Sequence, residues 1–293
     1  MTTEQAVLRV VAGKGGVGRS TVAAALAANA AAAGKRVLAV DAIGSGGLRN
    51  TMESGGLGSQ LEPGQFEVLR LTTRESLDQY LKIYLKLPLG PSRLGPLAKI
   101  FDYVSAAAPG VRELLIIGKI GWEVRNGGWD EIIVDAPATG HVVELLTAPQ
   151  SMAELVPSGP LAQQTGWLTE VLSAESTGVV LVTLPEELPV TETGELLARL
   201  RTESDTAVSL LVVNRAPVEV AGPGLTEASE LRTRASPAAG VAELACARHR
   251  LAKTQTERLI EYNLPIVTAT DDVSGPVDAV RAALSGYVVD GTI

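Results

Sequence analysis

The chain has 293 residues, of which 46% are hydrophobic and only 3% aromatic, enough Ala, Val and Leu for one large α/β domain without disulfides or metals. Its 25 basic and 33 acidic residues give a formal net charge of -8, which argues against sequence-independent binding to nucleic acid, where a basic face carries most of the affinity. Cys246 is the one cysteine, so an intramolecular disulfide and a Cys-based metal site within one chain are excluded.

Ala6 to Ala12 is an apolar run that stops at Gly13 and reads as a buried strand. Ser20 to Ala33 is nearly all Ala, Val, Leu and Asn and ends on Gly34, a helix with its stop signal. Short aliphatic runs follow at Val37–Val40, Val68–Leu71, Ile132–Val134, Val179–Leu184, Leu210–Val213 and Ile266–Ala269. Helical patterns such as Thr191–Arg201 and Pro276–Leu284 fall between several of them. Strands alternating with helices predict an α/β fold with a mostly parallel sheet covered on both faces.

Two stretches depart from that alternation. Residues 74–124 carry the helical pattern Leu77, Leu81, Tyr84, Leu85, broken by Pro88, Gly90, Pro91 and Pro109. Residues 145–172 are similar, with Pro149, Pro157 and Pro160 as breaks. Both are expected to be helical insertions in a single domain spanning 1–293. Residues 216–234 read as a surface loop leading into a helix. No apolar run approaches the ~20 residues of a membrane span, and no basic n-region with an apolar stretch opens the chain. The expected location is therefore the cytoplasm.

Gly13-Lys14-Gly15-Gly16-Val17-Gly18-Arg19-Ser20-Thr21 lies between a strand and a helix, the setting of a phosphate-binding loop. Its glycines let successive backbone N–H groups converge on phosphate oxygens, and the helix start adds its dipole. Ser20 is placed to ligate Mg²⁺ and Thr21 to reach the first phosphate. ATP and Mg²⁺ are the expected cofactors. Ile132-Ile133-Val134-Asp135 ends a strand on a carboxylate that can hold Mg²⁺ or its water. Ala136 to His141 follow, and Gly140 allows a pivot. Asn214 can read the N6/N7 edge of adenine or cap a turn, and its residue type alone favours neither.

Lys14, directly after the first glycine, resembles the signature of the deviant Walker group, whose members dimerise around nucleotide and pass this lysine to the partner's phosphates. Asp135 to His141 is similar to the second switch of the arsenite-pump and tail-anchored-protein-targeting ATPases, Asp-x-x-Pro-Thr-Gly-His, with Ala138 as the exception. Pro185-Glu186, Glu192-Thr193 and Val212-Val213-Asn214-Arg215 extend the likeness, which implies an adenine contact for Asn214. It also implies catalytic roles for Lys14, Arg19 and Asp135 and a conformational one for His141.

Two departures weaken the implied chemistry. Arg19 stands where the family has its loop lysine, and a planar guanidinium is a poor substitute at a tight β/γ-phosphate cradle. In the simple register Ile43-Gly44-Ser45-Gly46 occupy the place of Asp-Pro-Ala-His, whose Asp positions the attacking water. Asp41, two residues earlier, fits that role only if the loop slips. Losing such a group commonly costs ~10²–10⁴-fold in rate, so ATP binding with weak or partner-dependent hydrolysis is expected. The paired zinc cysteines of the family are missing, as is any thiolate cluster for arsenite.

The resemblance implies a nucleotide-switched homodimer, or a heterodimer with a catalytically complete paralogue, acting on a client helix or a membrane partner. A non-hydrolysing regulatory subunit is the alternative, and a partition-type ATPase acting on DNA or membrane is the least favoured.

Overall fold

A computed structural model describes residues 5–42, 44, 46–55, 65–71, 110–155, 158, 160–218, 237–271 and 275–288. Seven strands form one sheet: β1 (Val7–Gly13), β2 (Val37–Asp41), β3 (Phe66–Arg70), β4 (Glu131–Asp135), β5 (Thr177–Thr183), β6 (Val208–Ala216) and β7 (Ile266–Thr270). Their order is β3-β2-β4-β1-β5-β6-β7, and every pairing is parallel. The described helices are α1 (Arg19–Ala32), α2 (Gly47–Ser54), α3 (Val111–Asn126), α4 (Thr139–Leu155), α5 (Pro160–Ser173), α6 (Glu187–Glu203), α7 (Pro237–Ile260) and α8 (Pro276–Val288).

The aliphatic runs are buried on both faces because each face has its own helical layer. Leu8, Val10, Ile132, Val134, Val179 and Leu181 pack with residues of α3, α4, α5 and α6. Their neighbours along the strands, Val11, Ile133, Val180 and Val182, pack with α1, α2 and α8. The alanines of α1 are buried almost all round, since the helix lies between the sheet and α8, where only small side chains allow close approach. Gly34 (φ +86) ends it. The Gly34 N–H donates to the Ala31 carbonyl and the Lys35 N–H to that of Ala30, so the last carbonyls are satisfied by a left-handed cap.

The connectivity fixes where a ligand fits. The chain leaves β1 for β2 and β3 on one side and later fills β5, β6 and β7 on the other. A crevice therefore opens at the carboxyl ends of β1 and β4, the switch point of such sheets. Val11 pairs with Asp135 across β1 and β4, and Asp41 pairs with Asp135 across β2 and β4. Two carboxylates thus lie level beside the loop that follows β1.

The helical stretches differ from their sequence pattern in one respect. Pro149 does not break a helix: α4 runs through it from Thr139 to Leu155. An interior proline costs about 3 kcal/mol, and burial of Val142, Val143, Leu145, Leu146 and Ala148 in the core offsets it. Pro160 opens α5, where its missing N–H is no loss. Leu145, Leu146, Leu168 and Leu172 are core residues. Residues 72–109, with the stripe Leu77 to Leu85, lie outside the described residues, as do 219–236. No described helix is long and apolar enough to cross a membrane.

At the opposite edge of the sheet, buried Glu131 accepts from two cations. Arg9 Nε is 2.6 Å from Oε1 and Lys35 Nζ 2.9 Å from Oε2. Removing one partner of a buried pair leaves a charge uncompensated. Arg9→Met is expected to lower the unfolding free energy by about 3 kcal/mol in denaturant titrations. A loss below about 1 kcal/mol would mean that the pair behaves as a surface one.

Candidate functional site

The loop after β1 is shaped by glycine. Gly16 (φ +88) and Gly18 (φ +96) adopt left-handed conformations that other residues reach only with strain. A Cβ on Gly13 would collide with the Val182 carbonyl of β5, and one on Gly18 with the Asn214 amide. Val17 is buried in the core and anchors the loop from below. Gly18 then caps α1 without a side-chain bond, so the first N–H groups of the helix face the crevice with their dipole.

Three predicted residues meet beneath this loop. The Ser20 hydroxyl donates to Asp135 Oδ2 at 2.6 Å. The other oxygen of Asp135, Oδ1, is buried and has no hydrogen-bond partner among the described residues. Arg19 donates to the backbone carbonyl of Ala136, the residue after Asp135. Its side chain is thus turned to the end of β4, and it ties the first loop to the second. Burial pulls the Arg19 guanidinium below its ordinary value, opposed by the nearby Asp135 carboxylate. Burial pushes the Asp135 carboxyl up; the Ser20 bond and Arg19 oppose that, while Asp41 adds to it.

The remaining residues are placed as follows. Lys14 lies at the rim, with 48% of its side chain exposed, and donates to Glu192 Oε1 of α6 at 2.6 Å. Asp41 is buried, and its oxygens accept from Gly44 N at 2.8 Å and Gly46 N at 2.7 Å. It therefore holds the turn into α2. Arg70 reinforces that turn by donating to the Gly44 carbonyl at 2.5 Å. Ile43 and Ser45 lie outside the described residues. Gly140 sits in the first turn of α4 with open space around it. His141 is exposed and bonded to Glu144 at 2.9 Å. Cys246 is a buried thiol on α7.

Asn214 approaches the loop from β6. Its Nδ2 donates to the Val17 carbonyl at 2.9 Å, and its Oδ1 accepts from Arg215 N at 2.9 Å. Beside the loop, a cavity of about 410 Å³ runs from Thr21 past Asn50 and Ser54 to Gly275, Pro276 and Asp278. Sequence reasoning did not find Glu192 as the lysine's partner or Arg70 as a support. Glu192 belongs to a recognisable stretch but carries no signal of its contact, and a lone arginine at a strand end carries none either.

The raised carboxyl of Asp135 gives a test with a definite sign. Between its unfolded and folded values the native chain binds more protons than the unfolded one, so stability falls as pH rises through that window. Above it the buried charge opposes folding. Asp135→Asn is therefore expected to raise the Tm of the ligand-free protein at neutral pH, with the gain shrinking toward pH ~4. Calorimetry across that range checks it, and a lower Tm at neutral pH would contradict the burial argument.

The family model for anion-transporting ATPases matches residues 7–159, a segment that holds the glycine loop, Asp41, Asp135 and His141. ATPase BagA of Mycobacterium tuberculosis is 31% identical over 237 residues, covering 76% of this chain and 69% of that protein. The arsenical pump-driving ATPase of Escherichia coli is 28% identical over 195 residues, 66% of this chain and 32% of the pump protein. With a seven-stranded parallel sheet, helices on both its faces and the loop pair at the carboxyl ends of β1 and β4, the chain belongs to the anion-transporting ATPase family.

Proposed function

We propose that this chain is a Mg²⁺-dependent ATP-binding switch that works as a dimer and hydrolyses ATP weakly, or only with a partner. The observation that carries this reading is the orphaned Oδ1 of buried Asp135 beside the Ser20 hydroxyl, under a loop of left-handed glycines at a helix start. A buried carboxylate oxygen without a donor calls for a cation, and an all-oxygen pair suits Mg²⁺. A cation held there would supply positive charge against that of the phosphates. Ser20 and Asp135 would hold it, and the backbone N–H groups of Gly15 to Ser20 would cradle phosphates. Asn214, beside the loop on β6, is the proposed contact for the adenine edge.

Weak hydrolysis follows from residues that are otherwise engaged. Asp41 accepts from Gly44 N and Gly46 N, which fixes its carboxylate in the turn into α2, and Arg19 donates to the Ala136 carbonyl, which turns it toward the end of β4. The same facts favour the second reading, a regulatory subunit paired with a complete paralogue. In that pairing Lys14 serves the partner's site, because a mobile ammonium supplied in trans neutralises charge between phosphates. A client helix or a membrane protein is the proposed load, in the cytoplasm; the acidic balance disfavours nucleic acid. If only separate homodimers formed on mixing with candidate paralogues, mass photometry would count against the heterodimer.

Phosphate release by the purified chain tests the enzymatic part. The wild type is expected to bind Mg-ATP yet turn over ~10²–10⁴-fold more slowly than a complete family member, and Ile43→Asp to gain activity. Ordinary turnover by the wild type would mean that the site is self-sufficient.

The Lys14–Glu192 pair must open for the lysine to act in trans. Exposed pairs contribute little, so Glu192→Gln is expected to shift ATP-dependent dimerisation by only about two- to five-fold in favour of dimer. Sedimentation at graded ATP reads this out, and weaker dimerisation would assign Glu192 to the interface itself.

A further inference from the structure

Asn214, a predicted nucleotide contact, makes both of its described bonds to the protein's own backbone, and the local fold is bent to achieve this. Along most of their length β6 and β7 keep step, with Val212 opposite Val267 and Val213 opposite Thr268. The next pair is Ala216 with Thr270, so Asn214 and Arg215 together oppose a single residue. That is a bulge, a device that re-aims side chains next to sites. Arg215 takes a left-handed backbone, φ +52, although it is not glycine. Residues held in such a conformation persist only where the surroundings over-determine them.

The bulge serves the side chain of Asn214. The residue is buried at 3% exposure. Donation from Nδ2 to the Val17 carbonyl and acceptance at Oδ1 from Arg215 N require the same orientation of the amide. The amide lies so close to Gly18 that any Cβ there would strike it. Gly18 is therefore confined between Asn214 and Thr21, and the Val17 carbonyl is held by the amide. An amide has two N–H donors and an oxygen with two lone pairs. After its two internal bonds, Asn214 still has one of each for a base.

We infer that Asn214 is a positioning residue for the phosphate loop: through the Val17 carbonyl and Gly18 it sets the shape in which the loop receives phosphates, with or without a base. The inference rests on the reading of Gly13 to Thr21 as a phosphate site. It differs from adenine recognition in its consequence. A residue that reads only the base is irrelevant to a ligand without one, whereas one that shapes the loop matters to both.

The test compares Mg-ATP with Mg-tripolyphosphate, which carries the phosphates alone, by competition against a fluorescent ATP analogue on the full chain. Asn214→Asp keeps the acceptor for Arg215 N and replaces the donor to Val17 by a repelling oxygen. It is expected to weaken tripolyphosphate at least about five-fold and ATP by more. Leu284→Ala, at a buried residue of α8 just past Arg281, whose carbonyl accepts from Asn29 toward the far end of α1, lowers stability and is expected to leave both affinities unchanged.

If Asn214→Asp weakens ATP alone, the residue reads the base only and the inference is overturned. If Leu284→Ala weakens tripolyphosphate as much, the effect is general destabilisation and the inference is equally overturned. A wild type that binds neither ligand would contradict the phosphate-site reading itself, and this inference with it.

Discussion

A buried carboxylate with one oxygen satisfied and the other bare is the constraint around which the carboxyl edge of the sheet is arranged. Asp135 is nearly inaccessible, and burying an ion without full pairing opposes folding. The site tempers this with the Ser20 hydroxyl and the nearby Arg19 guanidinium. Asp41, level with it on β2, makes the burden heavier. A core selected for stability alone would have placed an aliphatic residue at the end of β4. Keeping the charge makes sense if the missing counter-charge arrives with a ligand, so that binding relieves what folding left unresolved.

The surrounding parts are arranged to the same end. The glycines and the buried Val17 fix the loop, Asn214 braces it from β6, and Arg19 links it to the loop after β4. The first and second loops are thus coupled before any ligand binds. That coupling uses the cation that family resemblance would send to the phosphates, and the turn into α2 uses the carboxylate that would position water. Those engagements are what support the proposal of a nucleotide-binding switch with weak or partner-dependent hydrolysis.

Much of this was legible in the sequence, for reasons that differ by element. Buried parallel strands read as continuous aliphatic runs, so β1, β4 and β5 were evident within a residue or two. The glycine loop and the carboxylate ending β4 were evident because their chemistry is local: spacing alone places them. Pro149 misled because a proline's local preference was set against tertiary burial, and burial won. The engagement of Asp41 with Gly44 and Gly46, the Lys14–Glu192 pair and the bulge that turns Asn214 toward Val17 were not legible. The Asp41 bonds are a local turn that no motif marks, while the other two join residues that only the assembled sheet brings together, across 178 positions for Lys14 and 197 for Asn214.

The most direct test of this account is calorimetric titration of the ligand-free chain with ATP, with and without Mg²⁺, beside Asp135→Asn. If the bare oxygen of Asp135 awaits a cation, Mg²⁺ will tighten ATP binding by the wild type and have little effect on the variant. Equal ATP affinity with and without Mg²⁺ in the wild type would contradict the account, since the buried charge would then have no ligand to answer it.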